Sequence, residues 1–260
     1  MGLLHLSLVQ ADLHWEDPQA NRWMLDDLLA DISSTDLIVL PEMFATGFTM
    51  APERVAESSS QSSTLEWMRH KAREKQAVVT GSLAIEENGR YVNRLYWVTP
   101  EGGVEWYDKR HLFRMGEEPK HYSAGDKRVI VELKGFKILL SVCYDLRFPV
   151  WNRNIENDYD LFLCVANWPG ARRKAWRTLL EARGIENQCY VAGVNRCGTD
   201  GNGLHYTGDS MLLDYLGEAL IDAPQDSPFV RTGVIGQETL ESFRAKFPAW
   251  KDSDGFTLHS

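Results

Sequence analysis

What most constrains this chain is the repeated succession of a short apolar run and a segment of helical spacing. Leu4, Leu6 and Leu8 alternate along a first strand. Asp17-Pro18 then supplies an N-cap and a proline at the first helical position, and Met24, Leu25, Leu28, Leu29 and Ile32 follow on one helical face. Asp36 to Leu40 is a second apolar strand, ending at Pro41-Glu42. After a loop rich in Gly, Pro and Ser (residues 43–60), Ser63 and Glu66 form a capping box for a helix carrying Leu65, Met68 and Ala72. Ala77 to Leu83 is a strand, Asn88-Gly89 turns the chain into Tyr91 to Val98, and Gly102-Gly103 turns it again into Val104 to Tyr107, which runs to Asp108-Lys109.

Beyond a loop from Arg110 to Asp126, strands are predicted over Val129 to Leu133 and Phe136 to Val142, and a helix over Pro149 to Asn157. A strand over Tyr159 to Ala166, a helix over Lys174 to Asn187 and a strand over Cys189 to Asn195 follow. Tyr206 to Asp214 with Glu218 to Ile221 reads as a closing hairpin, and Gln237 to Lys246 as a last helix before Pro248. Strand–loop–helix units recur at Leu37 and Leu161, which suggests two equivalent halves. No linker interrupts a chain that is 43% hydrophobic and 25% charged. The expectation is one α/β domain over residues 1–260, with two sheets face to face and helices outside.

Several function classes drop out. Net charge is −9 and the basic residues are scattered, so nucleic acid is a poor partner. No apolar run approaches the ~18 residues of a membrane span. Met1-Gly2-Leu3-Leu4-His5 lacks the basic flank and apolar core of a signal peptide, and Leu6 stands where myristoylation wants Ser or Thr. Cys143, Cys164, Cys189 and Cys197 form no C-x-x-C pair, so free thiols in a cytoplasmic protein are expected. Ligand spacing for a metal is absent, as are G-x-G-x-x-G and G-x-x-x-x-G-K, so neither a metal nor a nucleotide cofactor is expected.

Three apolar strands end at chemically useful residues: Glu42, Lys109 and Cys143. Ligand sites in open α/β sheets gather at the carboxyl ends of strands, so one sheet edge could unite the three. A lone cysteine at a strand end is commonly just a small buried residue. A nucleophilic one needs a base, because an unperturbed thiol of pKa ~8.5 is only slightly ionised at neutral pH. No histidine is evidently placed for that work, and Glu42, enclosed by apolar strands, is the better candidate. Lys109 would favour the thiolate and hold a developing oxyanion.

The blocks around these residues carry a resemblance. Leu40-Pro41-Glu42-Met43-Phe44, Tyr107-Asp108-Lys109-Arg110-His111-Leu112-Phe113 and Val142-Cys143-Tyr144-Asp145-Leu146-Arg147-Phe148-Pro149 resemble, in order, the three signature blocks of the nitrilase (carbon–nitrogen hydrolase) superfamily. The likeness continues through Ala166-Asn167-Trp168-Pro169 and Ala182-Arg183-Gly184-Ile185-Glu186-Asn187-Gln188, and within the superfamily it is strongest to bacterial omega-amidases. It implies a four-layer αββα sandwich that forms a homodimer and needs no cofactor. It also implies that Cys143 attacks an amide while Glu42 takes its proton, with Lys109 and the backbone N–H of Tyr144 on the oxyanion. A second glutamate belongs in the loop after the lysine. Glu118 fits it by spacing, with Glu117 as the alternative.

Omega-amidases cleave the terminal amide of 2-oxo acids such as 2-oxoglutaramate and 2-oxosuccinamate. The substrate carboxylate needs a cation. Arg147 is the first choice, against the equal alternative that it pairs with Asp145, and Arg172 and His111 are reserves. Phe44, Phe113 and Trp168 are candidate pocket walls, although packing is the commoner use of such residues. Rival readings are a deaminated-glutathione amidase, an N-carbamoyl hydrolase, a true nitrilase, an acyltransferase and a silent dimeric scaffold.

Overall fold

The alternation of side chains along each strand decides the layering. Leu37 and Val39 belong to one buried cluster, whereas Ile38 and Leu40 belong to another. A strand whose two faces are both apolar has to be covered on both sides. The structure, a computed structural model, describes residues 2–257, so the ends of the expected 1–260 domain, Met1 and residues 258–260, lie outside the described residues.

The first half runs β1 (Leu3–Gln10), α1 (Pro18–Leu29), β2 (Leu37–Val39), α2 (Pro52–Val55), β3 (Glu57–Ser58), α3 (Ser63–Lys75), β4 (Val78–Glu87), β5 (Arg90–Val98) and β6 (Val104–Asp108). The second half runs β7 (Ile130–Leu133), β8 (Phe136–Val142), β9 (Leu161–Ala166), α4 (Arg173–Asn187), β10 (Tyr190–Asn195), β11 (Cys197–Thr199) and β12 (His205–Thr207). It closes with β13 (Met211–Leu213), β14 (Ala219–Asp222), β15 (Phe229–Gly236) and α5 (Gln237–Lys246).

One sheet has the order β15-β1-β2-β4-β5-β6, with β3 beside β4, and the other β14-β13-β10-β9-β8-β7. Their pairings match step for step. In the first, β15 is antiparallel to β1, β1, β2 and β4 are parallel, and β5 and β6 return antiparallel. In the second, β7 is antiparallel to β8, β8, β9 and β10 are parallel, and β13 and β14 return antiparallel. The two halves suggested by Leu37 and Leu161 are therefore real, since β2 and β9 occupy equivalent central places. Between the sheets, Leu4, Leu6, Leu37 and Trp97 pack with Ile138, Leu140 and Leu163. Outside, Leu25 and Leu29 of α1 and Leu65 and Met68 of α3 cover the first sheet, and Trp176 and Leu180 of α4 with Leu240 of α5 cover the second. This is the αββα sandwich.

Three local expectations need correction, and one strand went unpredicted. The helix predicted from Pro149 to Asn157 does not form: a 3₁₀ turn occupies Cys143–Arg147, and turns follow. Asparagine side chains claim the backbone instead, with Asn152 Nδ2 donating to Asp145 O at 2.7 Å and Asn154 Nδ2 to Tyr159 O at 2.9 Å. The N-cap of α3 is Ser62, whose hydroxyl accepts from the Leu65 N–H, so Ser63 and Glu66 form no capping box. The strand β15 was hidden by Gly233, where a Cβ would come within 2.5 Å of Leu212 on the facing sheet. The span Tyr206 to Asp214 is broken between β12 and β13 by Gly208 and Asp209, both at positive φ.

Candidate active site

Because β5 runs back and β6 forward again, β6 points the same way as β2, and Glu42 and Lys109 emerge at one edge of the first sheet. Cys143 follows β8 of the second sheet directly. Its φ is +47°, a left-handed conformation that a side-chain-bearing residue adopts only where its surroundings hold it. Tyr144 is second in the turn, so its N–H has no partner within that turn.

Glu42 and Lys109 are almost wholly buried. Glu42 Oε1 accepts from Lys109 Nζ at 2.9 Å and from Asn93 Nδ2 at 2.8 Å, while Oε2 accepts the Asn167 N–H at 2.7 Å. Asn167 also meets the thiol: Cys143 Sγ lies 3.8 Å from its carbonyl oxygen. Lys109 Nζ donates to both oxygens of Glu118 at 3.0 and 2.9 Å, and Glu118 Oε2 takes the Phe113 N–H at 2.5 Å. Glu117, by contrast, is exposed and paired with Lys120, so Glu118 is the one of the two that meets Lys109.

Four ionisable groups, Glu42, Lys109, Glu118 and Cys143, share one buried volume, and burial and charge shift the last three. Burial works against the Lys109 ammonium, but Glu118 and Glu42 outweigh it and hold its pKa well above the ordinary range. Burial and the charge of Glu42 push the Glu118 carboxyl up, opposed by Lys109. Burial, then Glu42, also lifts the Cys143 thiol well above its usual value, with Lys109 pulling the other way. The resting sulfur is therefore held as a thiol beside Glu42, and it ionises only when its proton is taken.

Cys143 opens into a small cavity of about 130 Å³, walled by Phe113, Tyr144, Trp168 and Tyr206 together with Phe48 and Met50. Both Arg147 and Arg172 line it. The Arg147 guanidinium sits 4.7 Å from the Trp168 ring centre and that of Arg172 5.2 Å from the Phe113 ring centre, so each lies over an aromatic wall. Asp145 turns its oxygens to Tyr107, His111 and Val142 and forms no ion pair with Arg147, which removes the alternative weighed for that arginine.

Two candidates fall outside this cavity. Phe44 is completely buried under α3, 5.9 Å from Trp67, because its side chain leaves on the helix-covered face of the first sheet. His111 is bound to Asp145 and stacked on Phe148 at 3.7 Å, lining a separate surface groove. Asn93, Phe48, Met50 and Tyr206 were missed. Asn93 and Tyr206 lie inside ordinary strand patterns, and Phe48 and Met50 come from a loop whose path no periodicity reveals.

The model of the carbon-nitrogen hydrolase family matches residues 5–245. The chain belongs to the carbon-nitrogen hydrolase family. As such it is an enzyme, a hydrolase of carbon–nitrogen bonds. This carbon-nitrogen hydrolase is 49% identical to omega-amidase YafV of Escherichia coli (strain K12), over 98% of each chain. It is 31% identical to the 2-oxoglutaramate amidase of Bacillus subtilis (strain 168), covering 95% of this chain and 96% of the relative. Its fold matches a solved CN-hydrolase superfamily protein from Xanthomonas campestris, which carries an arsenic adduct in its active site, with a TM-score of 0.97, 45% identity and complete coverage of both chains.

Proposed function

We propose that this enzyme is an omega-amidase, hydrolysing the terminal amide of 2-oxo-dicarboxylate monoamides such as 2-oxoglutaramate and 2-oxosuccinamate to the 2-oxo acid and ammonia. The observation that carries the reading is the pair Arg147 and Arg172 lining the same small cavity as Cys143. A substrate with an amide at one end and a carboxylate at the other needs that combination. Arg147 and Arg172 bind the carboxylate end, against walls formed by Phe113 and Trp168.

In the proposed mechanism Cys143 Sγ attacks the amide carbon as its proton passes to Glu42. The carbonyl oxygen becomes an oxyanion held by the Lys109 ammonium and the Tyr144 N–H. Collapse breaks the C–N bond, Glu42 returns the proton to the departing nitrogen, and ammonia leaves a thioester on Cys143. Glu42 then takes a proton from water, hydroxide adds to the thioester carbon, and the C–S bond breaks as Glu42 hands that proton to the departing sulfur, giving the acid and the free thiol. Glu118 anchors Lys109, and no metal or cofactor takes part. The reading extends to one cytoplasmic domain spanning residues 1–260 that pairs as a homodimer. Exposed Ile185 of α4, lying against the turn that carries exposed Leu216, is apolar surface for such pairing.

The test is ammonia release by wild type and Cys143→Ala from 2-oxoglutaramate, 2-oxosuccinamate, glutamine, asparagine, carbamoyl amino acids and simple nitriles. Cys143-dependent turnover of the oxo-amides above all others is expected. Preference for carbamoyl compounds or nitriles would replace the reading.

A further inference from the structure

One buried carboxylate has no part in the chemistry just proposed, yet it sits where the two loops of the site meet. Asp145 is completely buried, two residues past Cys143. Its Oδ2 accepts the Val142 N–H at 3.0 Å and the Tyr107 O–H at 2.8 Å. Its Oδ1 accepts the His111 N–H at 2.8 Å and lies 2.8 Å from His111 Nδ1. Tyr107 and His111 stand two residues before and after Lys109, and Val142 immediately precedes Cys143. A single side chain therefore grips the backbone around the ammonium and around the thiol.

The grip crosses from one sheet to the other. Lys109 follows β6 of the first sheet and Cys143 follows β8 of the second. Supporting contacts keep each partner aimed at Asp145. Tyr107 Oη accepts the Arg110 N–H at 3.1 Å and the Trp151 Nε1–H at 3.2 Å, which leaves its own hydrogen for the carboxylate. Burial and the neighbouring Asp145 charge keep Tyr107 protonated, so it remains a donor. The His111 ring lies parallel to Phe148, which ends the Cys143 turn by donating its N–H to Asp145 O at 2.9 Å. An asparagine could not replace this aspartate. Donors approach both oxygens, and a carboxamide has only one acceptor oxygen and would turn N–H against N–H at the other place.

We infer that Asp145 is the positioning residue that sets the Lys109 ammonium against the Cys143 thiol across the two sheets. It touches neither substrate nor sulfur and acts through Tyr107, His111 and the Val142 N–H, which also steadies the left-handed backbone at Cys143. The inference rests on the reading of Cys143 as nucleophile and Lys109 as oxyanion donor.

The experiment compares Asp145→Asn, Tyr107→Phe, His111→Ala and the Asp145→Asn/Tyr107→Phe double variant. Two readouts are taken: kcat and KM on 2-oxoglutaramate, and the rate of Cys143 alkylation by iodoacetamide. Losing angstrom-level placement costs about 10²-fold, so Asp145→Asn should lower kcat by about that factor and Tyr107→Phe by about tenfold, with KM within threefold. Alkylation should slow in both as Lys109 withdraws its charge from the sulfur. The double variant should be little worse than Asp145→Asn alone, because both changes cut one link. Wild-type kcat and alkylation in Asp145→Asn and Tyr107→Phe would overturn the inference, as would a KM that rises as steeply as kcat falls. If Asp145→Asn does not fold, Tyr107→Phe carries the test. Should the wild type hydrolyse no oxo-amide, the substrate reading fails, and the alkylation rates still decide the role of Asp145.

Discussion

Changing Glu118 to glutamine removes one charge from the buried trio while keeping its shape. In the native site Glu118 accepts from Lys109 Nζ with both oxygens and from the Phe113 N–H. With its oxygen at the Oε2 place a carboxamide keeps Phe113 and one contact to the ammonium, with the oxygen at the Oε1 place it loses Phe113, and either way its NH₂ faces a donor. At least one hydrogen bond involving a charge is lost, worth about 1.5–3 kcal/mol. Relief of the burial that pushes the Glu118 carboxyl up offsets part of this, so a net loss of about 1–3 kcal/mol is expected. For a chain of this size that lowers Tm by roughly 3–10 °C. The kinetic effect should be larger, because Lys109 is left with Glu42 as its one carboxylate, and tightening that pair draws the ammonium from the oxyanion position. A kcat loss of about 10²-fold is expected, with KM within threefold. Steady-state ammonia release and thermal melts measure both quantities, with Glu117→Gln as the surface control expected to match wild type. A Glu118→Gln enzyme within threefold of wild-type kcat and with unchanged Tm would refute the argument.

Other expectations follow from the same geometry. Arg147→Ala, losing a charge-assisted contact to the substrate carboxylate, should raise KM for 2-oxoglutaramate roughly 10–100-fold with kcat within threefold; unchanged KM would eliminate Arg147 as the anchor. Phe44→Leu should leave KM unchanged and lower Tm, because the ring is in the layer under α3 and not in the cavity; a selective KM change would contradict that placement. Burial lifts the thiols of Cys143, Cys164 and Cys189, the last to about 12. Each ionises in the unfolded chain above pH ~8.5 but stays protonated in the fold, so its stabilising preference is intact below that pH and is lost as pH rises. Together the three cost up to about 4 kcal/mol per pH unit above pH ~9, and a urea midpoint unchanged between pH 7.5 and 10 would count against this.

The parts of the fold legible in the sequence are those with local causes. Apolar alternation located the parallel strands, and spacing located α4 and α5. The expected helix after Pro149 failed because Asn152 and Asn154 bond across the chain, to Asp145 and Tyr159, in competition that no periodicity displays. Glu42, Lys109 and Cys143 were visible because each ends an apolar strand. Which way a side chain leaves a turn was not: Phe44 and His111 stand within two residues of Glu42 and Lys109, yet face away from the cavity. The role of Asp145 was equally hidden, because its partners Tyr107 and His111 lie more than thirty positions earlier.

The pairing of β15 with β1 sets an order of events during synthesis. From Leu3 paired with Gly236 to Gln10 paired with Phe229, β1 has one edge reserved for a strand made more than two hundred residues later. Until residue 236 emerges, β1 presents eight residues of unpaired backbone on that side, with the aggregation hazard any open strand edge carries. The first sheet therefore cannot be completed before residues 229–236 have been made.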